Sequence, residues 1–334
     1  MLLDLLLALA APCCAAPQDP PSPPAGGTEA EQEDEASLRE RLRARQLGRL
    51  GEVPPLLRSD GSEARPGELP PAASAEARAA WEGLASRLTE EEPMRSFSLR
   101  FYLRQQPLDR PQSNDLRLEF SFLSPGLVRA RLESGRTLLR GPAGDYLLEK
   151  NADPLRLVGR EGAEDRKQLD QMAAIAANFV GLTDPRTLRL AELSVTTTPE
   201  AGIHPRFRSQ LSELSWLRIV SPDLYLGPQA PRAADAPPPL YRADLGYDPE
   251  SGAIRIAVIH ELVEGAALQS GAMFVRMEDH AERDGLLVPH TIEIHEVQPE
   301  VEPWRFAPSP STQLWLQKRR GRLRARLLPE DFTP

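Results

Sequence analysis

Between residues 96 and 132 apolar side chains recur at every second position. Phe97, Leu99, Phe101 and Leu103 share one face of the first run, with Ser98, Arg100, Tyr102 and Arg104 opposite. The period returns in Leu116, Leu118, Phe120 and Phe122, and again in Val128, Ala130 and Leu132. Three such runs in succession predict an antiparallel meander. SGRTLLRGPAGDYLLEKN, from residue 134, adds two shorter strands around a Gly-Pro-Ala-Gly turn. Further β-like runs lie at 186–197, 214–220, 240–247 and 253–262. Residues 271–297, GAMFVRMEDHAERDGLLVPHTIEIHEV, predict a hairpin. Met273, Val275 and Met277 lie on one side of its first run, and Val288, Ile292 and Ile294 share a side of the second. Asp284-Gly285 supplies its turn, and Pro289 belongs at a strand start or an edge.

The period changes to that of a helix twice. Ala77, Trp81, Leu84 and Leu88 make one apolar stripe in residues 75–91, stopped by Pro93. Leu169, Met172, Ile175, Ala176 and Phe179 make another in residues 163–181, with Gly181 expected as its C-cap. SPDLYLGPQAPRAADAPPPL, residues 221–240, is a long Pro- and Ala-rich loop.

Composition shortens the folded part. The 34 prolines of this 334-residue chain are about twice the ordinary frequency. They crowd into segments such as 17–35 and 51–74 that have no apolar period. Residues 17–74 therefore read as a Pro- and acid-rich tether with a marginal helix at 28–50, and residues 75–328 as the folded domain. The net charge of −9 argues against nucleic acid as a partner, because phosphate contacts need a basic face. The basic run Lys318, Arg319, Arg320, Arg322, Arg324 and Arg326, with leucines interspersed, reads as a solvated face of an amphipathic element.

Residues 1–16, MLLDLLLALAAPCCAA, form a short apolar run ending in small residues, the pattern of a secretory signal. The run is too short to span a bilayer, which takes about 20 apolar residues. Cys13 and Cys14 are the only cysteines, so the folded body holds no disulfide and no thiolate nucleophile. Two outcomes stay open for this segment: cleavage near Ala15 or Ala16, or lipidation through Cys13 or Cys14. Either places the protein in the periplasm or cell envelope.

Three segments carry a resemblance to a known family: the Phe/Leu-alternating strands at 97–132, the SGRTLLRGPAGDYLLEK hairpin, and RDGLLVPHTIEI near the end. Together they resemble the LolA-like superfamily of exported bacterial lipoprotein carriers and lipid-binding proteins. The resemblance implies an α+β fold, a curved antiparallel sheet or half-barrel with helices packed on its concave face. It implies an acyl chain, lipoprotein or similar amphipathic ligand, no catalysis and no cofactor. The expected ligand-facing positions are Phe97, Leu99, Phe101, Leu118, Phe120 and Phe122. The same residues can instead be packed core, since helix-on-sheet burial stabilises such a layer. In that case the chain is an envelope scaffold that meets a protein partner at its surface.

Candidate chemistry is sparse. His290 and His295 fall on opposite faces of one strand, a poor arrangement for sharing a metal. HELVE at 260–264 lacks the second His of a zincin helix. His280 beside Asp279 offers an acid–base pair, in what is expected to be a hairpin loop.

Overall fold

The computed structural model describes residues 55–88, 92–106, 114–124, 126–159, 162–197, 211–224, 239–263, 266–267, 272–297, 311–322 and 327–334. The expected leader, the tether to residue 54 with its helix at 28–50, and most of the 221–240 loop lie outside them.

The sheet consists of two meanders joined edge to edge. The first contains β3 (Ser96–Gln106), β4 (Asn114–Leu123), β5 (Leu127–Leu132), β6 (Thr137–Gly141), β7 (Gly144–Leu148) and β8 (Leu155–Arg156). The second contains β9 (Glu192–Val195), β10 (Ser215–Ser221), β11 (Leu240–Tyr247), β12 (Ile254–Val263), β14 (Ala272–Glu278) and β17 (Thr291–Val297). β18 (Ser311–Arg322) lies between them, so the strand order is β8-β7-β6-β5-β4-β3-β18-β17-β14-β12-β11-β10-β9, with the short β13 (Ala266–Ala267) on β12. Every pairing is antiparallel. Among the described residues β8 and β9 have no further strand partner, so the curved sheet is not closed. This is the α+β half-barrel that the alternation and the resemblance implied.

The basic run proves to be part of a strand. Lys318, Arg319, Arg320 and Arg322 belong to β18, which pairs with β3 through a register shift between Leu316 and Gly321. Nothing local in the sequence announced that role, because it depends on two partners brought together from opposite ends of the domain.

Two helices cover the inner face. α1 (Ala75–Ala85) starts where the Ser74 hydroxyl accepts from the Ala77 N–H at 3.1 Å, and it buries Ala77, Trp81 and Leu84. It ends before the expected boundary, with the backbone of Ser86 closing on Glu82. α2 (Ala163–Thr183) runs past Gly181, which is therefore no C-cap. A Cβ at Gly181 would come within 2.6 Å of a Leu188 methyl, so glycine here permits close packing. The chain turns at Asp184, whose buried carboxylate accepts from the Met94 N–H and from Arg186 Nε, each at 2.8 Å. That contact fastens the end of α2 to the entry of β3.

Residues 55–74, expected as the end of the tether, carry structure. β1 (Leu56–Leu57) and β2 (Glu63–Ala64) form a small hairpin with Leu56 and Ala64 buried. Arg58, also buried, donates from Nε to the Leu190 carbonyl at 3.2 Å and from Nη2 to the Glu68 carbonyl at 3.1 Å. The segment lacks an apolar period, and its order comes from Arg58 joining a nearby carbonyl, Glu68, to a distant one, Leu190.

The 271–297 hairpin holds a second hairpin inside it. β14 pairs with β17, and between them β15 (Ala281–Arg283) and β16 (Leu286–Val288) pair across Asp284 and Gly285. Both turn residues have positive φ, 50° and 71°, as a two-residue type I′ connection requires.

Candidate functional site

One hydrophobic cluster is shared by both meanders and both helices, and the six expected positions belong to its β3–β4 side. Phe97, Leu99, Phe101, Phe120 and Phe122 are buried there, and Leu118 is half-buried at the margin. Phe179 of α2 meets the Phe97 ring edge-on at 5.2 Å and the Phe101 ring at 6.1 Å. Phe97 in turn lies 5.7 Å from Phe120 and from Phe122. The structure brings all six together and lays α2 over the rings.

On β3, Phe101 pairs with Leu118 of β4 on one side and with Leu316 of β18 on the other. β18 pairs in turn with β17, Leu314 opposite Ile292, so this register joins the two meanders. That junction depends on the β3–β18 pairing, which no local pattern announced.

α2 is held over this face by charge as well as by Phe179. Arg140 of β6 donates to both carboxylate oxygens of Asp145, at 2.9 and 3.1 Å, and to Asp170 of α2 at 2.7 Å. Burial alone would lower the pKa of this guanidinium, but the two carboxylates outweigh it and hold the charge more firmly than usual. Arg136 reaches Asp165, in the first turn of α2, at 2.5 Å.

Two cavities among the described residues border none of the six positions. One, of ≈ 400 Å³ and open to solvent, lies by Glu76, Ala80, Val195, Leu214 and Tyr247. The other, ≈ 20 Å³, has room for about one water. Leu84, Leu182, Ile254 and Leu287 line it together with His280 and Thr183. The Nδ1 of His280 and the hydroxyl of Thr183 are buried there without hydrogen-bond partners.

The histidines do not form the arrangements that the sequence suggested for them. Burial, reinforced by Arg255, pushes the His280 imidazole down to about 4. The Asp279 carboxylate accepts from the Thr291 hydroxyl at 2.8 Å, and the buried Nδ1 of His280 makes no hydrogen bond to it. His290 is buried with Nδ1 3.0 Å from the Asp279 carbonyl. His260 is buried in the strand β12, not in a zincin helix. Among the described residues no three His, Cys, Asp or Glu side chains gather as a metal site, and no helix is long and apolar enough to cross a membrane.

The fold and this face describe a helix-covered half-barrel. No protein-family model matches the chain, and no curated protein matches it. Similar solved structures include a LolA superfamily protein from Nitrosomonas europaea, at 14% identity and TM-score 0.41, covering 76% of this chain and 97% of that one. A putative outer membrane lipoprotein-sorting protein domain from Vibrio parahaemolyticus is similar at 11% identity and TM-score 0.37, covering 77% and 97%. A DUF1329 family protein from Desulfovibrio piger is similar at 9% identity and TM-score 0.37, covering 78% and 98%. The first of these carries the family name that the sequence resemblance suggested.

Proposed function

We propose that this protein is a non-catalytic binding protein of the cell envelope that takes up one acyl chain, free or on a lipoprotein, along the seam between its two meanders. The observation that carries this reading is the margin of the inner aromatic face, where Phe101 lies against Phe179 and its β4 partner Leu118 is only half-buried. A chain laid on that face would exclude water from both partners, each buried methylene contributing about 0.8 kcal/mol. The ligand would sit at the edge of the helix-covered core, against Phe101 and the half-buried Leu118, with Phe97, Leu99, Phe120 and Phe122 packed behind them. Export through residues 1–16, with cleavage or with lipidation at Cys13 or Cys14, would deliver it to the periplasm or hold it at a membrane.

A specific observation favours a second reading. Phe97 is 1% exposed and Leu99 0%, so the inner face beneath α2 is filled. A filled core suits an envelope scaffold that holds no ligand and meets a protein partner on its surface.

Native mass spectrometry and lipid extraction of protein purified from an envelope fraction separate the two. The binding reading expects co-purifying lipid and saturable uptake of a fluorescent fatty acid, reduced by Leu118→Asp at the half-buried margin. Lipid-free protein with no uptake would leave the scaffold.

A further inference from the structure

The small cavity beside His280 lies where four elements meet. Leu84 comes from α1, Leu182 and Thr183 from the last turn of α2, Ile254 from the start of β12 and Leu287 from β16. Leu286 and Val288, on either side of Leu287, are fully buried in the main core. The hairpin β15–β16 therefore packs against α2 through apolar side chains.

Two side-chain polar atoms interrupt this apolar joint. Thr183 is 4% exposed, and its hydroxyl makes no hydrogen bond, not even the one to the carbonyl four residues earlier that threonine often makes within a helix. Burial and Arg255 hold the His280 ring uncharged, and the Ile254 backbone accepts from one of its nitrogens. A neutral imidazole has one donor nitrogen and one acceptor, so Nδ1, which has no partner, is left with its lone pair. Thr183 and His280 do not bond each other, yet both border a space of ≈ 20 Å³. One water needs about 10–15 Å³ and at least two polar partners, and the space and the partners are both here. Without it, both groups forfeit hydrogen bonds that they make to solvent in the unfolded chain.

We propose that this cavity is a binding site for one water molecule, which accepts from the Thr183 hydroxyl and donates to His280 Nδ1, and that the bridge fastens the hairpin β15–β16 to the end of α2. It adds a directional contact to a joint formed by apolar side chains, which by themselves leave the angle between hairpin and helix loosely defined. The cavity borders none of the six positions of the aromatic face, so the bridge is independent of any lipid bound there.

The test uses the full chain labelled with nitrogen-15 histidine and compares the wild type with Thr183→Val, which keeps the branched shape and removes the hydroxyl. Imidazole nitrogen shifts at neutral pH should show His280 with its proton on Nε2, and Nδ1 accepting a hydrogen bond in the wild type but free in the variant. Oxygen-17 relaxation dispersion of the solvent should count one long-lived water fewer in the variant. Amide exchange in β15 and β16 should become about two- to tenfold faster. A free Nδ1 in the wild type, or a shift that Thr183→Val leaves unmoved, would overturn the proposal. So would an unchanged water count beside a moved shift, since the two side chains would then bond directly. Unchanged amide exchange would overturn the fastening role. If Thr183→Val does not fold, cross-relaxation between solvent and the Leu287 methyls of the wild type decides instead. Transfer from a long-lived water supports the site, and its absence refutes it.

Discussion

The two meanders face the same core but are built differently. In the first, β3 to β8, the inner face is aromatic and the outer face of β3 to β5 is polar, with Arg100 3.6 Å from Glu119, Arg117 3.3 Å from Glu133, and Ser98 against Ser121. In the second, β9 to β17, both faces are apolar over much of their area. Leu217, Ile219, Ala243, Ala257 and Met273 point into the main core, while Trp216, Ile256, Val258 and Phe274 form a separate cluster outside. A glycine makes room there, since a Cβ at Gly246 would touch the Trp216 ring at 2.8 Å. The second meander's carboxylates stand on that outer face, Asp244 accepting from Arg218 at 2.6 Å and Glu293 lying 3.4 Å from Arg276. The first is thus fastened to its helix by charge on the inside, and the second carries its charge on the outside. β3 and β4 are thus apolar on one face only, while β5 to β7 carry a small outer cluster of Leu127, Leu139 and Phe332. The second meander is packed on both faces, so local opening at β3 and β4 would give up the least burial.

Substitutions at Phe179 and Phe97 should break the first meander's hold on α2 most severely. Phe179→Ala or Phe97→Ala is expected to cost about 3–5 kcal/mol in urea unfolding, with loss of the near-ultraviolet aromatic signal. Charge removal separates the two meanders more finely. Arg140→Met removes the guanidinium that grips both carboxylate oxygens of Asp145, which is 1% exposed, and should cost about 3–5 kcal/mol. Arg218→Met should cost about 1–3 kcal/mol, because Arg218 is 36% exposed and Arg242 remains 3.9 Å from Asp244. Equal losses for the two would erase the distinction drawn between inner and outer charge.

The small hairpin between β14 and β17 gives a pH test. Folding holds the His280 imidazole near 4, whereas the unfolded chain restores the ordinary value of 6.5. Between those values the unfolded state binds a proton that the folded state refuses. The stability this group contributes is therefore present above pH 6.5 and is lost as pH falls toward 4. The loss should be on the order of 2 kcal/mol across that window, and His280→Gln should remove that part of the pH dependence in denaturant midpoints at pH 7 and pH 5. Smallest is Gly285→Ala, expected to cost about 1 kcal/mol, because φ is 71° in that turn. Its effect should be confined to hydrogen exchange in β15 and β16.

The same contrast governs what the sequence revealed. β3 and β4 alternate because one of their faces meets water, so the phase of Phe97, Leu99, Phe101, Phe120 and Phe122 alone marked them as a common face. In β12 the run Ile256, Ala257, Val258, Ile259 is buried throughout, and a strand covered on both sides loses the period of two. The candidate face was legible as a row of residues but not as filled or open, because that depends on where Phe179 comes to rest. β18, the hairpin anchored by Arg58 and the Phe332 contact were not legible, since each depends on partners far away in the chain.

The position of β18 has a consequence in time. Phe101 pairs with Leu316, so the seam between the meanders joins nearly the first and nearly the last segments of the domain. A ribosome or an export channel delivering the chain from its N-terminus would release β3 long before its neighbour exists. Until β18 arrives, the edge of β3 stays unpaired, and pairing of such distant segments is slow. The last step of folding would then join the two meanders into one sheet. A chain cut short before residue 311 would retain most of its strands and lack that junction.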